Sequence, residues 1–372
     1  MREGVLISGY YGAGNTGDEA ILAGMLAALK DQGIRDITVL SRNPAETREL
    51  HGVDSIHCGR RLSGLGLLFR RMRKSQLFIL GGGGLLQDHT SRVVPFWLSR
   101  VAMALAAGTP VMYYAQGIGP LKKKKSRFLV RYFSKKVHRI TVRDEQSLDL
   151  LRELGVSKVP VEVTADPALG IRITWSGKEL LEQAGVDLAP SKGKIGVSLR
   201  SWEGEQEYLP VLARVLGRLR EQMNLQYVFF PFQTGCDEQV SLRVLGEVFK
   251  EGDALVSGRF TPEQVAAMLK EMDGVIAMRL HGIILSSLSC VPAFGLIYDP
   301  KVKHFMERAG LGEYSIPVKD IPRREEWLFE QLHCWLLRKE ALAAGMKPRI
   351  AAMADLAERN AEIARELMAQ RD

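Results

Sequence analysis

Short runs rich in valine, isoleucine and leucine recur along this chain, and a stretch with helical spacing lies between most of them. In the first half the runs are "GVLIS" (4–8), "DITVLS" (36–41), "QLFILG" (76–81), "PVMYYAQG" (110–117), "RITVRD" (139–144) and "VEVTADPA" (161–168). Helical patterns fall at 18–30, 93–107 and 145–154 and across the basic segment after Leu121. The rhythm loosens between Gly170 and Lys194 and restarts with "KIGVSLR" (194–200), "QYVFFPF" (226–232), "DALVSG" (253–258), "GVIAMR" (274–279) and "VPAFGLIY" (291–298). Helices are predicted there at 207–222, 236–250, 261–271 and 282–289. Strands that are apolar throughout and joined by helices pair parallel, because only a crossover of that length returns the chain to the same sheet end. The pattern predicts an α/β protein with two doubly wound, Rossmann-like domains.

A chain of 372 residues exceeds what one core organises. The predicted division is an N-terminal domain over 1–170, a linker over 171–192, a C-terminal domain over 193–325 and C-terminal helices over 326–372. "APSKGK" is the most loop-like stretch near the linker, and the charged helix from Lys347 to Gln370 is expected to pack back across the domain junction. Two such domains facing each other enclose a cleft, with ligands outside the carboxyl ends of the strands. The longest apolar stretch, residues 101–115, is split by Gly108 and Pro110 and is too short to span a bilayer. The N-terminus is apolar over too few residues for a secretory leader. Cys58, Cys236, Cys290 and Cys334 are scattered with no C-x-x-C pair, so neither a disulfide framework nor a zinc site is indicated, and a cytoplasmic protein is expected.

The formal net charge of +8 is unevenly placed. Residues 122–139, "KKKKSRFLVRYFSKKVHR", hold nine Lys or Arg and no acid, and residues 60–74, "RRLSGLGLLFRRMRK", hold six and no acid. In the first segment Phe128, Leu129, Tyr132, Phe133 and Val137 fall on one helical face. One reading is a surface resting on anionic lipid, with Lys122, Lys123, Lys124, Lys125, Arg127 and Arg131 towards the membrane. The other is a solvated basic helix whose apolar face is core. Neither block carries the motif or interleaved stacking of a nucleic-acid module, so no nucleic-acid partner is expected.

"SGYYGAGNTGDEAIL" (8–22) holds a G-x-G-x-x-G at Gly12, Gly14 and Gly17. A dinucleotide site would leave the helix N-terminus open to a pyrophosphate, whereas Asp18 and Glu19 put two carboxylates in that first turn. Ser41 and Arg42 after the second strand imitate a 2′-phosphate pocket, which keeps a nicotinamide enzyme in view. The carboxylates suit the hydroxyls of an uncharged acceptor, or they oppose the helix dipole. "LGGGGLLQD" (80–88) and "YAQGIGP" (114–120) add two more glycine turns at strand ends, and the three together point to a ligand cleft. Gly14, Gly83 and Gln116 are the acceptor-binding candidates beside Asp18 and Glu19.

Cations gather at strand ends in the second half. "GVIAMRLHGIILSS" sets Arg279 and His281 at a strand-to-helix turn, with Gly282 allowing close approach of a ligand. An imidazole and a guanidinium at a helix start make an anion site with a proton donor beside it, or a histidine satisfied locally. Arg200 after "IGVSL" and Lys301 after "IYDP" end neighbouring strands, and Arg143 in "TVRDEQS" comes from the first domain.

With "GNTGDEAIL", "LGGGGLLQD", "QGIGP", "VRDEQS", "RLHG" and "IYDPKV" in this order, the chain resembles the polysaccharide pyruvyl transferase family, most closely its CsaB-type members. The resemblance runs from the first strand to about residue 300. It implies a GT-B-like pair of domains that move a pyruvyl group from phosphoenolpyruvate, a co-substrate rather than a cofactor, to a sugar. In CsaB-type members the acceptor is an N-acetylmannosamine residue on a lipid-diphosphate-linked cell-wall precursor, ketalised at its 4- and 6-hydroxyls, in bacteria that anchor S-layer proteins. The family's essential arginine, histidine and lysine correspond to Arg143, His281 and Lys301, with Arg279 as a further donor-binding residue.

The chemistry is arguable from the residues as well. Phosphoenolpyruvate carries a carboxylate and a phosphate, so its site needs several cations, and Arg279, Arg200 and Lys301 supply them. Protonation of its methylene carbon needs a general acid, assigned to His281, and no metal in principle. Asp18 or Glu19 would orient or deprotonate the sugar hydroxyls. The expected setting is the inner face of the cell membrane, with the basic blocks near the lipid diphosphate. Two other functions fit the same fold class: a nucleotide-sugar glycosyltransferase, and a non-catalytic protein that binds wall precursors.

Overall fold

The structure, a computed structural model, describes residues 4–57, 62–189, 192–250 and 252–370. Cys58, Arg60, Arg61 and the Pro190–Ser191 step of "APSKGK" lie outside the described residues. Contacts divide the chain into two compact units. The first is Met1–Ala13, Asp18–Ile171 and Met353–Asp372; the second is Gly14–Gly17 and Arg172–Ala352.

In the first unit the strands are β1 (Val5–Tyr11), β2 (Ile37–Ser41), β3 (Asp54–His57), β4 (Leu77–Leu80), β5 (Gly83–Leu86), β6 (Val111–Ile118), β7 (Arg139–Val142) and β8 (Val161–Val163). They form one sheet in the order β3-β2-β1-β4-β6-β7-β8, with β5 paired to β6, and every pairing is parallel. The second unit holds β9 (Gly193–Ser198), β10 (Leu225–Phe229), β11 (Ala254–Leu255), β12 (Gly274–Ala277), β13 (Ala293–Ile297) and β14 (Ser315–Pro317). Their order is β11-β10-β9-β12-β13-β14, again all parallel. In each sheet the winding direction reverses beside the first strand, between β1 and β4 and between β9 and β12. That reversal opens the crevice in which doubly wound sheets hold ligands.

Both faces of each sheet are covered, which is why the strands read as unbroken apolar runs. Along β1, Val5 and Ile7 enter one core with Leu22, Met25 and Leu29 of the helix Thr16–Asp31. Leu6, one residue out of phase, enters the opposite core. There it joins Leu68, Trp97, Val130 and Leu151 from the helices Leu62–Lys74, Val93–Ala106, Lys124–Ser134 and Glu145–Glu153. The side-chain period of two makes that division obligatory.

Two segments differ from the sequence expectation. Residues 172–189 belong to the second unit and hold a helix, Gly177–Gln183, where a linker is expected. Ser176 caps it, accepting from the Glu179 amide at 3.4 Å, and a Cβ on Gly177 would collide with the Ala267 carbonyl, so glycine lets it lie against the helix Pro262–Lys270. The C-terminal helix begins at Lys339, earlier than expected, and runs to Ala369. From Met353 it belongs to the first unit, where Ala361, Ile363, Ala364 and Leu367 enter the core. This is the anticipated return of the C-terminal helix. Asn360, fully buried, fixes it by accepting from the hydroxyls of Thr141 at 2.5 Å and Thr164 at 2.9 Å and donating to the Ala357 carbonyl at 3.0 Å.

Candidate active site

In the second unit, β12 ends at Ala277 and the helix Leu280–Ser287 starts three residues later with Arg279 at its N-cap. The turn lies at the reversal point beside β9. Its tightness depends on Gly282: a Cβ there would come within 3.2 Å of the Ser198 Cβ at the end of β9. Gly282 thus seats the helix closely on the sheet. Ser198 is fully buried and its hydroxyl has no hydrogen-bond partner among the described residues.

Arg279 is aimed by a carboxylate the sequence did not single out. Asp237, fully buried in the first turn of the helix Cys236–Val248, accepts from Arg279 Nε at 2.8 Å and Nη2 at 2.6 Å. The same carboxylate accepts from the amides of Phe232 at 3.1 Å and Gln233 at 2.9 Å, which ties the guanidinium to the loop after β10. A two-point hold of this kind fixes the plane of the guanidinium and leaves Nη1 for another acceptor.

His281 lies two residues on, partly exposed. Gly17, in the short segment Gly14–Gly17 of the same unit, lies against its ring: a Cβ on Gly17 would collide with Nδ1 and sit 2.8 Å from Cγ. The segment is itself anchored to the loop after β10. The Thr16 amide donates to the Phe232 carbonyl at 2.9 Å, and the Gly14 carbonyl accepts from the Thr234 amide and Gln233 Nε2, both at 3.1 Å. Gly14, predicted to bind an acceptor, has this bracing role.

Arg200 and Lys301 meet around one ring. Tyr298, directly after β13, has the Arg200 guanidinium 4.4 Å and the Lys301 ammonium 5.6 Å from its centroid, and Trp202 packs edge-on against it at 4.9 Å. Cation–π contact holds both charges at the carboxyl edge without neutralising them. Asp299 caps the helix Pro300–Arg308 and lies 3.7 Å from the Lys301 ammonium, a loose pairing. The second unit therefore brings together Arg279, His281, Arg200 and Lys301 on the ends of β9, β12 and β13, three adjacent strands.

The other predicted residues lie in the first unit. Arg143 follows β7, buried, with Nη1 2.7 Å from Asp166 and Nε 3.7 Å from Asp144. Its guanidinium lies against Gly117, where a Cβ would come within 2.8 Å of Nε. Both oxygens of Glu19 are engaged: Oε1 accepts from the Gly12 amide and Oε2 pairs with His51 Nε2, each at 2.8 Å. Gln116 is fully buried and its amide donates to the carbonyls of Leu80, at 3.2 Å, and Gly81. Glu19 and Gln116 thus brace the unit from within. Asp18 lies beside Gly83, whose Cβ, if it had one, would be 3.6 Å from Oδ1. Burial, and then the charges of Asp18 and Glu19, hold the Tyr11 phenol well above its ordinary pKa, so it stays protonated.

These contacts also settle what the opening glycines do. Gly12 has φ +64° and its amide serves Glu19; the Gly17 amide donates to the Asn15 side chain at 2.9 Å. The Ser41 hydroxyl accepts from the Asn43 amide at 3.0 Å and from Thr47 Oγ1 at 2.7 Å, and Arg42 donates to the Tyr10 hydroxyl at 3.1 Å. The amides of Gly12 and Gly17 and the Ser41 hydroxyl are thus engaged within the protein. In "LGGGG", a Cβ on Gly81 would strike the Tyr11 hydroxyl and one on Gly84 would approach Gln87 to 2.9 Å, so that glycine run admits neighbouring side chains. Of the basic segment, Lys122, Lys123, Lys124, Lys125 and Arg131 are exposed, and Arg127 pairs with Glu153 at 2.6 Å.

Sequence reasoning missed Asp237, Asp166, His51 and Tyr298. Asp166 and Tyr298 stand at strand ends inside quoted runs, so the criterion that selected Arg143 and Lys301 would have reached them. Nothing local marks Asp237 or His51.

Known proteins align with this arrangement at two levels. The fold is shared with the UDP-GlcNAc 2-epimerase of Methanocaldococcus jannaschii, with a TM-score of 0.70 at 12% identity over 98% of this chain and all of that one. It is also shared with S. aureus MnaA in its UDP complex, with a TM-score of 0.67 at 12% identity over 96% of this chain and 94% of that one. In sequence, the amylovoran biosynthesis protein AmsJ of Erwinia amylovora is 23% identical over 374 aligned positions, 85% of this chain and 88% of that protein. The family model for polysaccharide pyruvyl transferase matches residues 15–300, a span that begins at the glycine segment beside His281 and ends just before Lys301. The chain belongs to the polysaccharide pyruvyl transferase family.

Proposed function

We propose that the second unit binds phosphoenolpyruvate and that the enzyme transfers its pyruvyl group to two hydroxyls of one sugar, forming a cyclic ketal. Arg279 binds the phosphate or carboxylate through the edge that Asp237 leaves open, and Arg200 and Lys301 balance the remaining negative charge. His281, as imidazolium, gives a proton to C3, and C2 gains oxocarbenium character. A sugar hydroxyl adds to C2, the bond from C2 to the phosphate oxygen breaks, and the second hydroxyl closes the ring. Of the two hydroxyl protons released, one replaces the proton given to C3 and the other leaves with phosphate. The steps need a general acid and positive charge rather than a metal.

What supports this reading most is one observation: a guanidinium clamped by a fully buried carboxylate stands two residues before a partly exposed histidine, at the reversal point of a doubly wound sheet. For the acceptor we propose the 4- and 6-hydroxyls of an N-acetylmannosamine unit on a lipid-diphosphate-linked wall precursor. For hydroxyl recognition we propose Asp18 or Glu19, the two carboxylates in the first turn of the helix Thr16–Asp31. The enzyme would act at the inner face of the membrane.

The test is phosphate release from phosphoenolpyruvate with and without such an acceptor. Release is expected to depend on the acceptor and to fall by about 10²–10⁴ in His281→Ala. Wild-type turnover in that variant would remove the acid role. Binding of a UDP-sugar with none of phosphoenolpyruvate would favour a nucleotide-sugar transferase on the shared fold.

A further inference from the structure

Three neighbouring helices on one face of the first unit, Leu62–Lys74, Val93–Ala106 and Lys124–Ser134, contain no acidic residue. Their inner sides are accounted for: Leu68, Met72, Val94, Trp97, Val101 and Val130 are core. Their outer sides are not. Of the nine large apolar side chains that stand exposed among the described residues, four lie on the two outer helices: Leu67 (68%), Phe69 (38%), Phe128 (64%) and Tyr132 (44%). The apolar stripe of the basic helix therefore splits. Val137 is buried and Leu129 and Phe133 are half-buried against the core, whereas Phe128 and Tyr132 stack on each other outside, 6.2 Å between centroids. Lys136 covers the Tyr132 ring at 4.0 Å. Lys122 to Lys125, Arg131, Lys135, Arg70, Arg73 and Lys74 are exposed around them. Two acids beside the basic helix are engaged: Glu153 by Arg127, and Asp88 by the amides of Lys122 and Lys123.

We propose that this face docks on an anionic lipid bilayer, with the exposed apolar side chains entering the headgroup region and the surrounding Lys and Arg meeting lipid phosphates. Aromatic and aliphatic groups ringed by cations match such an interface on both counts. A nucleic acid would satisfy the charges and gain nothing from Leu67, because an aliphatic side chain offers no stacking. A second copy related by a twofold axis would set this positive face against itself. The proposal rests on the proposed function only in that a lipid-linked acceptor gives the enzyme a reason to be there, and vesicle binding itself is measured without substrate.

The experiment is sedimentation of the full chain with vesicles of phosphatidylglycerol and phosphatidylcholine, against vesicles of phosphatidylcholine alone, at low and high salt. Binding is expected on the anionic vesicles only, weakening as salt screens the charges. The triple change Lys124→Gln, Lys125→Gln and Arg131→Gln is expected to lower partitioning by roughly tenfold or more. Phe128→Ser with Tyr132→Ser is expected to lower it at both salt levels. Thermal melts and phosphate release with a soluble, lipid-free acceptor should be unchanged in all of them, which separates lost docking from lost folding or lost chemistry. Equal binding to both vesicle types, no binding, or wild-type partitioning in the triple variant overturns the proposal. So does a dimer that Phe128→Ser abolishes in a chain that ignores vesicles.

Discussion

The His281 ring fills the space that a side chain at position 17 would need, and the consequence is measurable. Alanine is favoured over glycine inside a helix by about 1 kcal/mol, so at a position near the start of the helix Thr16–Asp31 the change Gly17→Ala has little reason to destabilise. Its methyl group would nevertheless force the imidazole aside. We expect a thermal melt close to wild type with phosphate release lowered by up to about a hundredfold, which a displacement near 1 Å at a reacting group can cost. Wild-type turnover would show that the ring position is immaterial. At this scale the site is half legible in sequence. Arg279 and His281 are readable because "VIAMRLHG" states strand end and helix start together. Asp237 is not, because a buried partner is chosen by the packing of β10 beside β9, and its own neighbourhood, "GCDEQV", reads as an ordinary first helical turn.

Among the elements, the basic helix owes its start to one carboxylate. Asp88 is buried and accepts from the amides of Lys122 at 3.0 Å and Lys123 at 2.7 Å. Burial by itself would raise its pKa; the bonds from those amides and from Ser126 outweigh burial and hold the carboxyl below its ordinary value of 3.8. A lowered folded-state value means that the stabilisation is fully present above the unfolded-state pKa and is lost as pH falls through the folded one. Asp88→Asn is therefore expected to lower the melting temperature at neutral pH and to flatten the acid limb of its pH dependence below about pH 4. An acid limb identical to wild type would contradict this. The long apolar strands were readable in advance, whereas β3 and β5 were not. "DSIH" is a short, polar edge strand, and "GGLL" has two residues of poor strand propensity and exists because β6 pairs with it. Tertiary pairing decides such strands, and local composition does not report it.

At the level of the whole molecule, two parallel sheets each reverse their winding beside their first strand, and the last helix returns the chain to the unit in which it began. The alternation of apolar runs was sufficient for that architecture because parallel strands demand crossovers. The helix Gly177–Gln183 within the expected linker was not legible because a short helix capped by Ser176 carries little apolar periodicity. The central claim is that Arg279 and His281 hold the donor. It is tested most directly by a crystal structure of the enzyme with phosphoenolpyruvate bound. We predict its phosphate or carboxylate on Arg279 and its methylene carbon about 3–3.5 Å from the His281 ring, the separation of a productive contact. Phosphoenolpyruvate held elsewhere, with His281 remote from that carbon, would contradict the account.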